Sequence, residues 1–205
     1  MGTSSGESQD LVGARAVLRT VSNEIEPTDL VKSGSGAAVW FLDDAQRQLL
    51  LTLGFDRFDN ARADWALTRA SIYALRRDGG KTRESAELAR AELETQLRAA
   101  PQRAWLHMGH ALALAYLGRK VEPIAEGEQA AELVPVTTNA IILPENQQTL
   151  VAIYLLVWKN DKALDRLEPL LTIPDRPSPG RLRIDPTFAP LRGNPRFEKL
   201  ARGQQ

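Results

Sequence analysis

Apolar residues recur at helical spacing along most of the chain, in pairs of segments separated by short polar breaks. The clearest pair runs from Ala104 to Pro135. Trp105 opens its first segment, and Ala111, Leu114 and Leu117 share one helical face. Gly118-Arg119-Lys120 breaks the pattern, glycine being the residue that most readily takes the left-handed turn after a helix. The second segment turns Ile124, Ala125, Ala130 and Leu133 inward and ends at Val134-Pro135, because proline cannot continue a helix and restricts the residue before it. Small residues on the facing stripes let the two helices approach closely.

A shift of 34 residues carries Pro135 to Pro101, Leu133 to Ala99, Ala131 to Leu97 and Pro123 to Ala89. An earlier unit therefore spans 62–101. Its first helix carries Trp65, Ile72, Tyr73 and Leu75, its turn is Arg77-Asp78-Gly79-Gly80, and its second helix runs from Thr82 to Ala99. A third unit, 145–174, follows an insert from Thr137 to Pro144. Leu150, Val151, Tyr154 and Val157 mark its first helix and Lys159-Asn160-Asp161 its turn. Ala163, Leu164, Leu167, Leu170 and Leu171 form the inner face of its second helix, which stops before Pro174.

The ends read differently. Residues 1–8 carry no basic-plus-apolar signal-peptide pattern and read as a flexible leader or expression scar. Ser8 to Ile25 predicts an amphipathic helix with Leu11, Ala14, Val17, Leu18 and Val21 on one face. Glu26-Pro27-Thr28-Asp29 starts a second, which Gly34-Ser35-Gly36 interrupts, and Asp43-Asp44 cap a third through Leu53. The C-terminal part is rich in proline. Asp185-Pro186 and Asn194-Pro195 are N-cap and first-turn pairs, and Phe188, Leu191, Phe197 and Leu200 are placed to cover the apolar end of the last unit.

The central unit resembles a tetratricopeptide repeat, on Leu117-Gly118-Arg119-Lys120 at the turn, Ala130 and Leu133 on the second helix, and Pro135 at its end. Pro123 stands where that family usually has alanine, a departure that a first helical turn tolerates. The run from Leu182 to Phe197, with Ala163 to Leu171 and Ser178-Pro179-Gly180 before it, resembles the terminal segment of tetratricopeptide domains fused to bacterial signalling proteins. Serine/threonine protein kinases and adenylate-cyclase-like or transcriptional regulators are the parents concerned. The resemblance covers about Leu42 to Phe197. It implies an all-α fold: a right-handed superhelical solenoid of antiparallel helix pairs, with about three repeats at 62–101, 104–135 and 145–174. A helical cap at 9–61 and a proline-rich cap at 175–205 would close its ends.

Charge narrows the function. Lys and Arg total 26 and Asp and Glu total 26, so no cationic excess exists to neutralise phosphates, and nucleic-acid binding is not expected. With no cysteine there is no disulfide framework, thiolate zinc site or cysteine nucleophile, and the compartment stays open. The cytoplasm is the default; with a membrane-anchored kinase as parent, either side of the membrane is open to the domain. The longest apolar run, Leu150 to Trp158, is too short to insert into a membrane.

Candidate chemistry is sparse. His107 and His110 share a helix face at i, i+3, with Glu122, Glu126 and Glu128 on the next helix, but this pattern lacks the embedded glutamate of a zinc protease. Two polar residues beside a packing surface are the simpler reading. Asp78-Gly79-Gly80-Lys81-Thr82 mimics the tail of a phosphate loop but follows a helix instead of a strand, so a turn explains it better. No acid, base and nucleophile converge and no kinase motif is present. The expectation is a non-enzyme with no cofactor and no metal site.

A partner would sit on the first helices, which line the concave face of such a solenoid. Trp105, Met108, Leu112 and Tyr116 are the expected central groove residues. Arg62, Ala66, Ala70 and Tyr73 come from the first unit, Gln148, Ala152 and Leu155 from the third, with Arg69 and Arg76 at the rim. Such anchors suit a peptide or helix with apolar side chains. A small-ligand sensor with an apolar pocket between cap and repeats is the alternative. The chain's own N-terminal helices or C-terminal tail would fill the groove equally well.

Overall fold

Helix follows helix along the computed structural model, which describes residue 13 and residues 27–32, 39–59, 61–133, 142–172 and 177–203. Ten helices and no strand occur among the described residues. Two short ones come first, α1 (Pro27–Lys32) and α2 (Asp44–Thr52). Three pairs follow: α3 (Arg62–Leu75) with α4 (Gly79–Ala99), α5 (Ala104–Tyr116) with α6 (Glu122–Glu132), and α7 (Ile142–Leu156) with α8 (Asn160–Leu170). The tail adds α9 (Pro179–Ile184), a 3-10 turn (Pro186–Leu191) and α10 (Pro195–Ala201). The helix expected over Ser8–Ile25 and the break at Gly34-Ser35-Gly36 lie outside the described residues, Gly13 excepted.

From α1 to α8 each helix packs on the next, α9 packs on α10, and α3, α5 and α7 also touch in series. All three end the same way. Arg77, Gly118 and Trp158 take positive φ (58°, 81° and 63°), and each donates its N–H to the carbonyl three residues back. The following N–H reaches the carbonyl five residues back, the Schellman pattern that satisfies a helix's last carbonyls. Only Gly118 was legible as such a residue. Gly79 and Gly80 belong to the first turn of α4, not to a turn before it, and Asn160-Asp161 open α8. Likewise α7 starts inside the expected insert, with Pro144 in its first turn, where its missing N–H costs nothing.

The α6 face differs from expectation. Pro123, Gly127 and Ala130 are buried, whereas Ala125 is exposed. A period of 3.6 puts 123, 127 and 130 on one stripe, and 125 lies off it. The lack of a side chain at Gly127 brings α6 close to α7, since a Cβ there would stand 2.9 Å from Leu150 Cδ1.

Polar contacts fix the ends. Asp43 Oδ1 accepts from the Gln46 N–H while Gln46 Oε1 accepts from the Asp43 N–H, both at 2.9 Å, a capping box that starts α2. Arg47 donates to the carbonyls of Val39 (3.0 Å) and Trp40 (2.8 Å), which holds residues 39–40 against α2. Arg69, expected at a groove rim, instead donates to Leu51 O at 2.7 Å and stacks over Trp65, whose indole N–H donates to Leu53 O at 2.9 Å. These two bonds satisfy carbonyls at the end of α2, which have no helical partner. At the other end Asp185 and Asn194 cap as expected, each accepting from the N–H two residues on at 2.9 Å. Arg196 clamps Glu168 through two donors and Asp165 through a third, joining α10 to α8. Phe188, Leu191, Phe197 and Leu200 are all buried in the main core.

Candidate functional site

The first helices, the N-terminal segment and the tail line an open-mouthed pocket of about 620 Å³. Leu112 and Tyr116 of α5 and Gln148, Ala152 and Leu155 of α7 form one wall. Ser71 and Leu75 of α3 adjoin them. Val39 and Trp40, held by Arg47, and Asp185 to Pro190 of the tail complete the lining. The 3-10 turn of the tail rests on α7, and Asn160 donates to Pro190 O at 3.2 Å.

Leu112, Tyr116, Gln148 and Leu155 of the expected anchors thus line one pocket, with Ala152. The other four anchors are elsewhere. Arg62 is exposed, its guanidinium over the Phe55 ring. Tyr73 lies between Arg69 and Lys81. Met108 is buried in the core, while Trp105 is 54% exposed and does not reach the pocket. Ala66 and Ala70 are buried completely. Met108 and Leu112 share a stripe and both are buried in the core, but only Leu112 also lines the pocket, and α3 packs on the same helix.

Polar groups converge within these apolar walls. Ser71 Oγ and Tyr116 Oη are 2.9 Å apart, one donating to the other. Burial is the main cause that raises the Tyr116 pKa; the Ser71 bond opposes it and the Asp185 charge adds to it. The hydroxyl thus stays protonated at neutral pH. Asp185 is 1% exposed and has both oxygens engaged, Oδ1 by the Thr187 N–H and Oδ2 by Arg181 Nε at 3.1 Å. Arg181 Nη1 donates to Gln148 Oε1 at 2.8 Å, and the guanidinium stacks over Trp40. Trp40, Arg181 and Asp185 were not among the expected site residues. The one available signal was the i, i+4 spacing of Arg181 and Asp185.

The histidines form a separate cluster. His107 Nδ1 is 2.7 Å from Glu126 Oε1 and its Nε2 is 2.8 Å from Pro101 O, so both ring nitrogens are engaged within the protein. His110 lies between Glu126 (3.2 Å) and Glu94 (3.6 Å), and Glu94 also receives Arg90. Among the described residues no three such groups are placed to hold a metal. Burial lowers the His107 pKa, but its bonds to Pro101 O and Glu126 outweigh this and the net shift is upward. Close approach of His110 is the main cause that lowers the Glu126 pKa, burial opposing and His107 adding.

A pH dependence follows. The contribution of His107 is fully present below its ordinary 6.5 and is lost as pH rises through the raised value. That of Glu126 is present above its ordinary 4.5 and is lost as pH falls through the lowered value. Between these limits the pair should stabilise by on the order of 1 kcal/mol, since both groups are partly exposed. Urea midpoints measured across pH should show this window in the wild type, and H107Q should flatten the decline above it.

No helix among the described residues is long and apolar enough to cross a membrane. No family model, curated protein or solved structure matches the chain.

Proposed function

We propose that the chain is a non-catalytic binding module, a tetratricopeptide-like solenoid capped at both ends, which holds the apolar part of a ligand in the pocket at Tyr116. The observation that carries this is the pocket itself. Its volume of about 620 Å³ falls in the range of small-molecule sites, with apolar walls and a few convergent polar groups. The repeated Schellman ends and serial contacts of α3, α5 and α7 support the solenoid reading. Lining by segment 39–40 and the tail as well as by the helices favours a compact ligand over a peptide running through.

A peptide or helix partner is the second reading. Trp158, at the pocket's edge, is 74% exposed, and exposed tryptophans are frequent anchors of protein interfaces. On either reading the resemblance of Leu182–Phe197 favours a regulatory part of a bacterial signalling protein, with a membrane-anchored kinase as one parent.

Binding of Nile red, a neutral apolar dye, tests the pocket. A152W should fill the space and weaken dye binding at least ~10-fold, about 1.4 kcal/mol. W105A, outside the pocket, should leave it unchanged. Equal binding by the wild type and A152W, with matching thermal melts, would remove the assignment.

A further inference from the structure

The pocket's charged lining residues are Arg77, Arg181 and Asp185, two cations against one carboxylate. The carboxylate is not offered to a ligand, because Arg181 and the Thr187 N–H take its two oxygens. Arginine has five N–H donors in a planar fork. Bonds to Asp185 and Gln148 use two of those of Arg181, and the described residues supply no acceptor for the other three. The same two bonds, with the Trp40 ring beneath, hold the guanidinium in one orientation at the pocket wall. Tyr116 and Ser71, whose hydroxyls pair with each other, also line the pocket, with Leu112, Val151, Leu155 and Phe188 among its apolar residues.

We propose, building on the pocket reading above, that the ligand is an amphiphilic monocarboxylate: an apolar chain in the pocket with its carboxylate on Arg181. A fixed guanidinium suits a carboxylate better than a hydroxyl or an ammonium, because two parallel N–H donors match its two oxygens. Arg77, exposed at the end of α3, adds to the local positive potential without a direct bond. Apolar area supplies most of the affinity, and the guanidinium supplies the choice of head group.

Decanoate, decanol and decyltrimethylammonium share a chain and differ in head group. Titrated at pH 8 and followed by intrinsic tryptophan fluorescence, decanoate should bind about tenfold more tightly than decanol, and the ammonium more weakly still. R181Q should bring decanoate to the affinity of decanol, and R181K should retain part of the preference. R77Q, at an exposed position, should reduce the ratio of decanoate to decanol affinity about twofold, and it serves if R181Q fails to fold. Equal wild-type affinities for decanoate and decanol, both blocked by A152W, would overturn the head-group assignment and leave the pocket standing. Binding of neither would overturn both.

Discussion

Phe197→Ala should destabilise the protein by about 3–5 kcal/mol, the usual cost of removing a fully buried phenyl ring. Phe197 is buried in the last helix, its ring 6.1 Å from that of Phe188, within the same core as Leu167 and Leu182. A proline-rich tail is easily taken for a linker. Here Asp185 and Asn194 start two turns that prolines pre-shape, and those turns bring Phe188, Leu191, Phe197 and Leu200 onto the last pair. The loss is a large part of the 5–15 kcal/mol that a domain of this size ordinarily has. Urea unfolding measures it. Because Phe188 lines the pocket, F197A should also weaken ligand binding. A change below about 1 kcal/mol would show that the tail is not part of the core.

Gly127→Val should cost about 2–3 kcal/mol, although valine is the better helix former. A Cβ at this position meets Leu150 Cδ1 at 2.9 Å, Ile153 Cδ1 at 3.5 Å and Ala111 Cβ at 3.7 Å. Leu150, Ile153 and Ala111 are each fully buried, so there is little room to retreat. Gly127→Ala is closer to balance. It gains about 1 kcal/mol in helix propensity and asks only the Leu150 methyl to move. The Val variant should also quicken amide exchange in α7 and α8, since α6 is the surface on which α7 rests. A Val variant as stable as the wild type would mean that α6 and α7 are not packed this closely.

Helical pairing was legible because the apolar period is local. The pairs at Trp105–Leu133 and Leu150–Leu170 follow directly from it. The turns were less legible. Gly79-Gly80 and Asn160-Asp161 have turn composition, yet the left-handed residues are Arg77 and Trp158, two positions earlier in each case. A non-glycine residue there costs roughly 1–2 kcal/mol, and the two Schellman bonds at each site offset it. Half of the expected anchors reached the pocket. The spacing of Leu112, Tyr116, Gln148 and Leu155 identifies a face, but no local pattern says where neighbouring helices close it. Trp40 and Arg181 arrive from opposite ends of the chain, and their meeting is a product of tertiary packing alone.

The four tryptophans allow a direct test of where ligand binds. Trp40 and Trp158 line the pocket, whereas Trp65 is bonded to Leu53 and Trp105 is on another surface. In a two-dimensional nitrogen–proton spectrum each indole N–H gives its own signal. Titration with decanol, whose chain alone is enough for the pocket, should move the signals of Trp40 and Trp158 and leave those of Trp65 and Trp105 in place. Movement of Trp105 with Trp40 and Trp158 unchanged would contradict the assignment of the pocket as the binding site.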